Sequence, residues 1–220
     1  MTYHVFYNPH AGNGRGKDAA HKLAALLPDD ELHFNDITKI EDYGALFASL
    51  PGEDRIVIAG GDGTLNRFIN DTASLPLERS IYYYATGSGN DFLADIDGKA
   101  GDAPRCIDQY LTELPSVYVN GMHRYFLNGI GYGIDGYCCL EGDRQRQTSA
   151  KPVNYTAIAV KGLLFHYKPT SAVITVDGVR HTCNHVWLAP AMNGRYYGGG
   201  MIPTPQQDRL AKPRELSVMV

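Results

Sequence analysis

Four consecutive apolar residues, Ile56-Val57-Ile58-Ala59, run straight into Gly60-Gly61-Asp62-Gly63-Thr64-Leu65-Asn66, and this junction constrains the fold more than any other part of the chain. A strand with no polar alternation must be covered on both faces, as inside a parallel sheet flanked by helices. Glycines after such a strand remove the Cβ atoms that keep a ligand away from the backbone, and the following helix offers its positive end. The segment therefore reads as a phosphate cradle, with Thr64 as the expected helix cap. Asp62 inside an anion site is costly unless a cation joins it, so it points to Mg²⁺ or a metal-bound water. The bland alternative is a tight strand-to-helix turn with Asp62 as a local cap.

The alternation repeats along the first half. Thr2 to Tyr7, Glu31 to Asn35 and Ile81 to Ala85 read as strands. Ala20, Leu23, Ala24 and Leu27, then Ile40, Tyr43, Leu46, Phe47 and Leu50, recur at helical spacing. Thr64 to Asp71 and Asn90 to Ala94 look helical, and Pro104 sits near the start of a helix carrying Ile107, Tyr110, Leu111 and Leu114. Strands and helices in alternation imply a parallel sheet with helices on both faces. Near residue 115 the pattern changes. Asn120-Gly121 and Asp177-Gly178 are hairpin signals between short β-rich runs, with one helix over Val153 to Leu164. The fold expected is α/β plus β: a nucleotide-binding domain over 1–117, then a β-rich, sandwich-like domain over 118–220.

Two further loops share the character of the first. Asn8-Pro9-His10-Ala11-Gly12-Asn13-Gly14 follows the first strand, and Gly87-Ser88-Gly89-Asn90-Asp91-Phe92 follows the strand ending at Ala85. In a parallel sheet all three lie at the carboxyl ends of strands, where ligands bind. The P-loop pattern fails, because Ala11 and Asp18 stand where Gly and Ser or Thr are required. Gly131-Tyr132-Gly133-Ile134-Asp135-Gly136 has the dinucleotide spacing but falls in the β-rich half without a βαβ frame, and reads as a decoy.

Composition removes several function classes. The 220 residues carry 20 Lys+Arg against 24 Asp+Glu, a net charge of -4 that argues against nonspecific nucleic-acid binding. The 4 cysteines form no C-x-x-C pair and suggest reduced thiols. No apolar run is long enough for a transmembrane segment, and Met1-Thr2-Tyr3-His4 lacks a signal-peptide pattern, so a cytoplasmic protein is expected.

Together, Asn8-Pro-His-Ala-Gly12, Gly60-Gly-Asp-Gly-Thr-Leu-Asn66, Gly87-Ser-Gly-Asn-Asp-Phe92, Phe126-Leu-Asn128-Gly-Ile-Gly131-Tyr-Gly-Ile-Asp135 and Gly198-Gly-Gly-Met201 resemble the diacylglycerol kinase catalytic-domain family, which includes bacterial soluble lipid kinases and sphingosine kinases. The resemblance covers nearly the whole chain, with the five motifs in the family's order. It implies ATP and Mg²⁺ in a cleft between an α/β domain and a β-sandwich, and transfer of the γ-phosphoryl group to a lipid hydroxyl, most simply that of diacylglycerol. Nucleotide contacts carried over by position are Asn8, Pro9, His10, Ala11, Gly12, Thr38, Gly60, Gly61, Asp62, Gly63, Thr64, Leu65, Asn66 and Ser88, with Asn90 and Asp91 shaping the third loop. Thr38 reads equally well as a helix cap before Ile40. The resemblance also implies a lipid partner at the membrane surface, with the protein peripheral on the inner face.

The chain departs from the family's pattern in three places. The family's general base belongs to an Asp-Gly-Glu motif after the β domain, and no residue up to Val220 supplies it; Asp177-Gly178-Val179 precedes the triple glycine and reads as a hairpin turn. No catalytic base is therefore named, and Asp62 is the supporting acid. The family's structural metal acid has no counterpart in Lys212-Pro213-Arg214-Glu215-Leu216, and Ala85 replaces a common Pro. A sheet lacking its last strands exposes an edge, so the second domain is expected to aggregate or to be completed by a partner chain such as a second copy.

Other constellations are weaker. His181, Cys183 and His185 alternate on one strand and could face Zn²⁺, but half-buried strand packing is the commoner meaning. Arg144, Arg146, Lys151 and Lys161 could meet anionic headgroups or simply form a solvated face. Tyr82-Tyr83-Tyr84 reads as strand packing. Two other functions remain: an NAD kinase, which shares Gly-Gly-Asp-Gly-Thr, and a nucleotide-binding remnant without transfer.

Overall fold

The computed structural model describes residues 1–76, 78–148 and 153–220. Five strands, β1 (Thr2–Tyr7), β2 (Glu31–Asp36), β3 (Arg55–Gly60), β4 (Ile81–Ala85) and β5 (Arg105–Cys106), form one sheet in the order β2-β1-β3-β4-β5. The first four are parallel, while β5 pairs antiparallel with β4 through Tyr82 and Tyr83. The helix expected after Pro104 is correspondingly short. Arg105 and Cys106 are drawn into the sheet edge, leaving a single turn, α7 (Asp108–Leu111).

Helices cover both faces, and the odd–even alternation of the strands divides the core between them. Phe6, Ile56, Ile58, Ile81 and Tyr83 face the helices Tyr43–Ser49 (α4), Asp62–Asp71 (α5) and Asp91–Asp95 (α6). Tyr3, Val5, Tyr7, Val57, Ala59 and Tyr84 face Ala20 and Leu23. The tyrosine triplet alternates as expected, with Tyr83 in the first cluster and Tyr82 and Tyr84 packed in the second. On the second face the expected continuous helix is broken into short pieces, α1 (Ala11–Gly14), α2 (Gly16–His21) and α3 (Leu23–Leu26). Gly12 and Asn13 are left-handed, at φ +54° and +60°, which ends any regular helix there. Helix α4 is capped at both ends. Asp42 accepts from the Ala45 amide, and Arg79 donates to the carbonyls of Phe47, Leu50 and Pro51.

The strands β6 (Ser116–Val119) and β7 (Met122–Tyr125) form the first expected hairpin around Asn120 and Gly121, whose φ values are +50° and +77°. Two consecutive positive φ angles define the primed turn that the right-handed strand twist favours.

The chain divides into two compact units, Met1–Asn128 with Gly194–Leu210, and Gly129–Asn193 with Ala211–Val220. This differs from the division at 117/118 expected above. The hairpin of β6 and β7 stays with the first unit because α5 holds its end: Asn70 donates to the Tyr125 carbonyl and accepts from the Tyr125 amide, both at 2.9 Å.

In the second unit, β8 (Gly129–Ile130), β11 (Ala191–Met192) and β12 (Ser217–Val218) form a small antiparallel sheet in the order β12-β11-β8. The ribbon of β9 (Thr170–Val176) and β10 (Val179–Val186) turns at Asp177-Gly178, at φ +49° and +81°, as the hairpin reading required. A 15-residue helix, α8 (Ile134–Thr148), was not anticipated; its polar sequence carries no apolar stripe. The expected second-domain helix is α9 (Tyr155–Lys161), continued by a π-turn over Gly162–His166.

Candidate functional site

The three glycine loops sit at the carboxyl edge of adjacent strands, and their glycines are there because the backbones touch. A Cβ on Gly87 would lie 2.5 Å from Gly61 Cα, and one on Gly12 would lie 2.7 Å from the Thr86 carbonyl oxygen. Gly16 is tighter still, since its Cβ would fall 1.9 Å from the Asn8 carbonyl oxygen. No side chain could be added at these points without moving main chain.

The first loop is tied to the second. Asn8 donates through Nδ2 to Thr64 Oγ1 at 2.8 Å, while its Oδ1 accepts from the His10 amide at 3.0 Å. Thr64 is thus not the helix cap that the sequence suggested. Gly61 occupies the cap position of α5 with no side-chain cap; the Thr64 amide closes on the Gly61 carbonyl at 2.9 Å, which leaves the Asp62 and Gly63 amides of this 10-residue helix to a ligand or water. Pro9, Ala11 and Gly12 are half-buried in the first loop, and His10 is exposed beside them. Gly60 packs against Thr64, where a Cβ would come within 2.5 Å. Gly63 is exposed on the first turn, and Leu65 is fully buried in the core.

Asp62 is committed to the third loop. Its Oδ2 accepts from the Asp91 amide and its Oδ1 from the Phe92 amide, both at 2.9 Å, so it caps α6 from a different loop. Asn128 also donates to Oδ1 at 3.3 Å. Asp62 is therefore not the local cap of the bland alternative, since the helix it caps belongs to another loop. Asn66 faces inward, accepting from the Leu127 amide at 2.9 Å. Its side chain fixes the approach to Asn128 rather than pointing at the loop edge.

The third loop holds its shape through Asn90, which is left-handed at φ +54° and donates to the Gly87 carbonyl at 2.9 Å. Ser88 is exposed at its tip. Asp91 accepts from the Gly199 amide at 2.9 Å through Oδ2. Gly198, Gly199 and Gly200 all have positive φ, and Tyr197 and Met201 close the tight loop with two backbone bonds. That geometry aims the Gly199 N–H at Asp91. Burial pushes the Asp91 carboxyl above its ordinary range; the amides of Gly199 and Gly200 oppose the shift, and nearby Asp62 adds to it. Three polar oxygens on this strand-to-helix turn, Thr86 Oγ1, Asn90 Oδ1 and Asp91 Oδ1, are buried without a hydrogen-bond partner among the described residues.

Thr38 lies on a short 3-10 turn after β2, exposed, with its hydroxyl donating to Asp36 at 2.7 Å. That bond holds the Asp36 carboxyl below its ordinary range. Thr38 is not a helix cap; Asp36 caps the 3-10 turn and Asp42 caps α4.

Sequence reasoning missed the buried charges behind the loops. Asp95, at the end of α6, takes Arg195 Nε at 2.8 Å on one oxygen and Arg209 Nε on the other. Arg209 is 5% exposed, stacks over Phe92 at 4.7 Å, and donates to Asn128 Oδ1 at 3.0 Å. Burial pulls the guanidinium down from its ordinary range and Asp95 pulls it back up. These partners lie 100 or more residues apart in sequence, and no local pattern announces them.

The zinc reading meets a break in the ribbon. The register shifts between Cys183 and Val186, and His185 takes φ +58°, so the alternation stops before the third ligand. No group of three or more metal-binding side chains occurs among the described residues. The Gly131-x-Gly-x-x-Gly segment does lead into a helix, but its strand pairs only antiparallel, and Gly133 serves close packing on the Trp187 carbonyl oxygen, 2.3 Å from where a Cβ would be. Lys151 lies outside the described residues, as does the side chain of Arg146. No described helix is long and apolar enough to cross a membrane.

Residues 2–118 match the diacylglycerol kinase catalytic domain, and residues 129–210 match the YegS C-terminal NAD kinase beta sandwich-like domain. The chain belongs to the diacylglycerol kinase catalytic-domain family. Among curated relatives, "Putative lipid kinase YtlR" of Bacillus subtilis (strain 168) is 26% identical over 175 residues, covering 73% of this chain and 55% of the relative. A "Diacylglycerol kinase" of Mycobacterium tuberculosis (strain CDC 1551 / Oshkosh) is 24% identical over 213 residues, covering 91% of this chain and 67% of the relative. A solved structure titled "A putative diacylglycerol kinase from Bacillus anthracis str. Sterne" shares the fold at TM-score 0.58 and 23% identity, over 94% of this chain and 71% of that one. The chain therefore spans between about half and two thirds of the length of these two curated relatives.

Proposed function

We propose that this chain is an ATP-dependent lipid kinase that passes the γ-phosphoryl group of Mg-ATP to a lipid hydroxyl, with diacylglycerol as acceptor and phosphatidic acid as product. The observation that carries the reading is the meeting of three glycine loops at one sheet edge, beside a helix whose first-turn amides have no side-chain cap. Phosphoryl transfer asks mainly for positioning and charge neutralisation, because the transition state is loose and electron-rich. Backbone N–H groups of the second loop and of the first turn of α5 supply donors for the phosphates. Gly12, Gly61 and Gly87 keep that edge open to main chain.

The residues fit both implied groups. Gly63, where a Cβ would meet nothing within 4 Å, leaves room for phosphate on the first turn of α5, and the partnerless Asp91 Oδ1 and Asn90 Oδ1 are hard oxygen donors of the kind Mg²⁺ takes. When bound, Mg²⁺ supplies neutralisation of the β- and γ-phosphate charge. Asp62 holds the second and third loops together by capping α6, a positioning role. Such an enzyme works as a peripheral protein on the cytoplasmic face of a membrane.

The test is transfer of labelled γ-phosphate from Mg-ATP to diacylglycerol in mixed micelles, beside NAD and a sphingoid base, with Gly87→Ala as control. Phosphatidic acid made by the parent chain and lost in the variant is the expected result. Phosphorylation of NAD instead, or ATP binding without transfer to any acceptor, would overturn it.

A further inference from the structure

We infer that the π-turn following α9 is a membrane-docking tip that inserts its apolar residues into an anionic bilayer surface. Leu163, Leu164 and Phe165 are consecutive and stand 47%, 67% and 75% exposed. Val160, 51% exposed, precedes Leu163 and Leu164 by three and four residues, which places it on their side of the helix. The segment is anchored from its other side. Ile158 is buried, and Gly162 lies so close to Tyr137 that a Cβ would come 2.6 Å from the ring. The apolar tip therefore projects from a fixed base, and the Tyr167 amide closes the turn on the Gly162 carbonyl at 2.8 Å.

Charge selects the occupant. From residue 144 to residue 176 the sequence contains no Asp or Glu, in a chain whose net charge is -4; Arg144 is paired with Glu141 at 2.5 Å, and the cations beside the tip are Lys161 and Lys168. Lys161 and Lys168 flank the tip and are exposed. Leu and Phe beside cations are what an interface with anionic lipid takes: the apolar groups enter the headgroup boundary and the cations stay among the headgroups. A second copy fits poorly, because pairing this face with itself would set two cationic segments against each other. The inference names the surface through which the proposed kinase meets its substrate's membrane. It rests on that reading for its purpose, while vesicle binding can be measured without it.

Sedimentation with vesicles of phosphatidylglycerol mixed into phosphatidylcholine, against pure phosphatidylcholine, tests it on the whole chain. The expected result is binding to the anionic vesicles that weakens with salt. Leu164→Gln/Phe165→Gln should lower the partition coefficient by about tenfold or more, and Lys161→Glu/Lys168→Glu should lower it at low salt, with the difference shrinking at high salt. Circular dichroism confirms that each variant is folded. Phosphorylation of a short-chain, water-soluble diacylglycerol should be unchanged in the apolar variant, so loss of docking is separable from loss of chemistry. Equal sedimentation with both vesicle types, insensitivity to the double variant, or a dimer by light scattering that the double variant dissolves would each overturn the inference.

Discussion

The two ends of α6 carry two aspartates of equal burial and opposite circumstance. Asp91 and Asp95 are both 8% exposed. Asp95 spends both oxygens on guanidinium groups, whereas Asp91 has one oxygen on a backbone amide and the other without a partner. Burial raises the pKa of Asp91. A buried charge fully compensated by cations belongs to the frame. One left half-satisfied beside three glycine loops is a candidate for contact with a ligand.

The sharpest way to break this comparison is Asp95→Ala, which strands Arg209 in the interior. Losing one partner of a buried pair costs about 3–5 kcal/mol, read as a lower midpoint in urea unfolding. Gly87→Ala comes next. Its Cβ would meet main chain at Gly61, so about 1–3 kcal/mol of stability should go together with ATP binding, the latter measured by calorimetry. Asp62→Asn leaves one acceptor for the two amides that the carboxylate now serves, and should cost about 1–2 kcal/mol, as loss of a helix cap does.

Asp91→Asn should have the smallest effect on stability, within about 1 kcal/mol, while weakening Mg-ATP binding. Its pH dependence carries a sign. Because the folded pKa is raised above that of an ordinary exposed carboxyl, the protonated carboxyl favours folding below the unfolded value, and this contribution is lost as pH rises through the folded pKa. Unfolding midpoints of the parent chain and of Asp91→Asn, compared upward from pH 4, should therefore diverge in favour of the variant. A parent chain that gains on the variant over that window would show that Asp91 is stabilised by its charge.

The four parallel strands β1 to β4, the order of the loops after them and the meeting of their glycines at one sheet edge were legible in the sequence, because each rests on a local pattern. Ile56 to Ala59 must be covered on both faces, and Asn120-Gly121 and Asp177-Gly178 can hardly be anything but primed turns. The partners of Asp62 and Thr64 were not legible. A capping residue is recognised by its place before its own helix, and Asp62 caps a helix that begins 29 residues later. Helix α8 escaped because its residues show no periodicity, and the short turn after Pro104 was overcalled because β5 claimed residues that fit a helix equally well. Nothing in the local sequence around Arg195 and Arg209 marks them as sharing one aspartate.

The first unit is discontinuous, since Gly194–Leu210 return to it after residues 129–193 have been used elsewhere. On a ribosome that order becomes a delay. At about 5–20 residues per second, several seconds separate synthesis of Asp95 from that of Arg195 and Arg209, and the helix start at Asp91 waits equally for Gly199. The emerging first half would hold an uncompensated acid in its core throughout that interval. Completion of the loop edge is in this way tied to the chain having been made as far as Leu210.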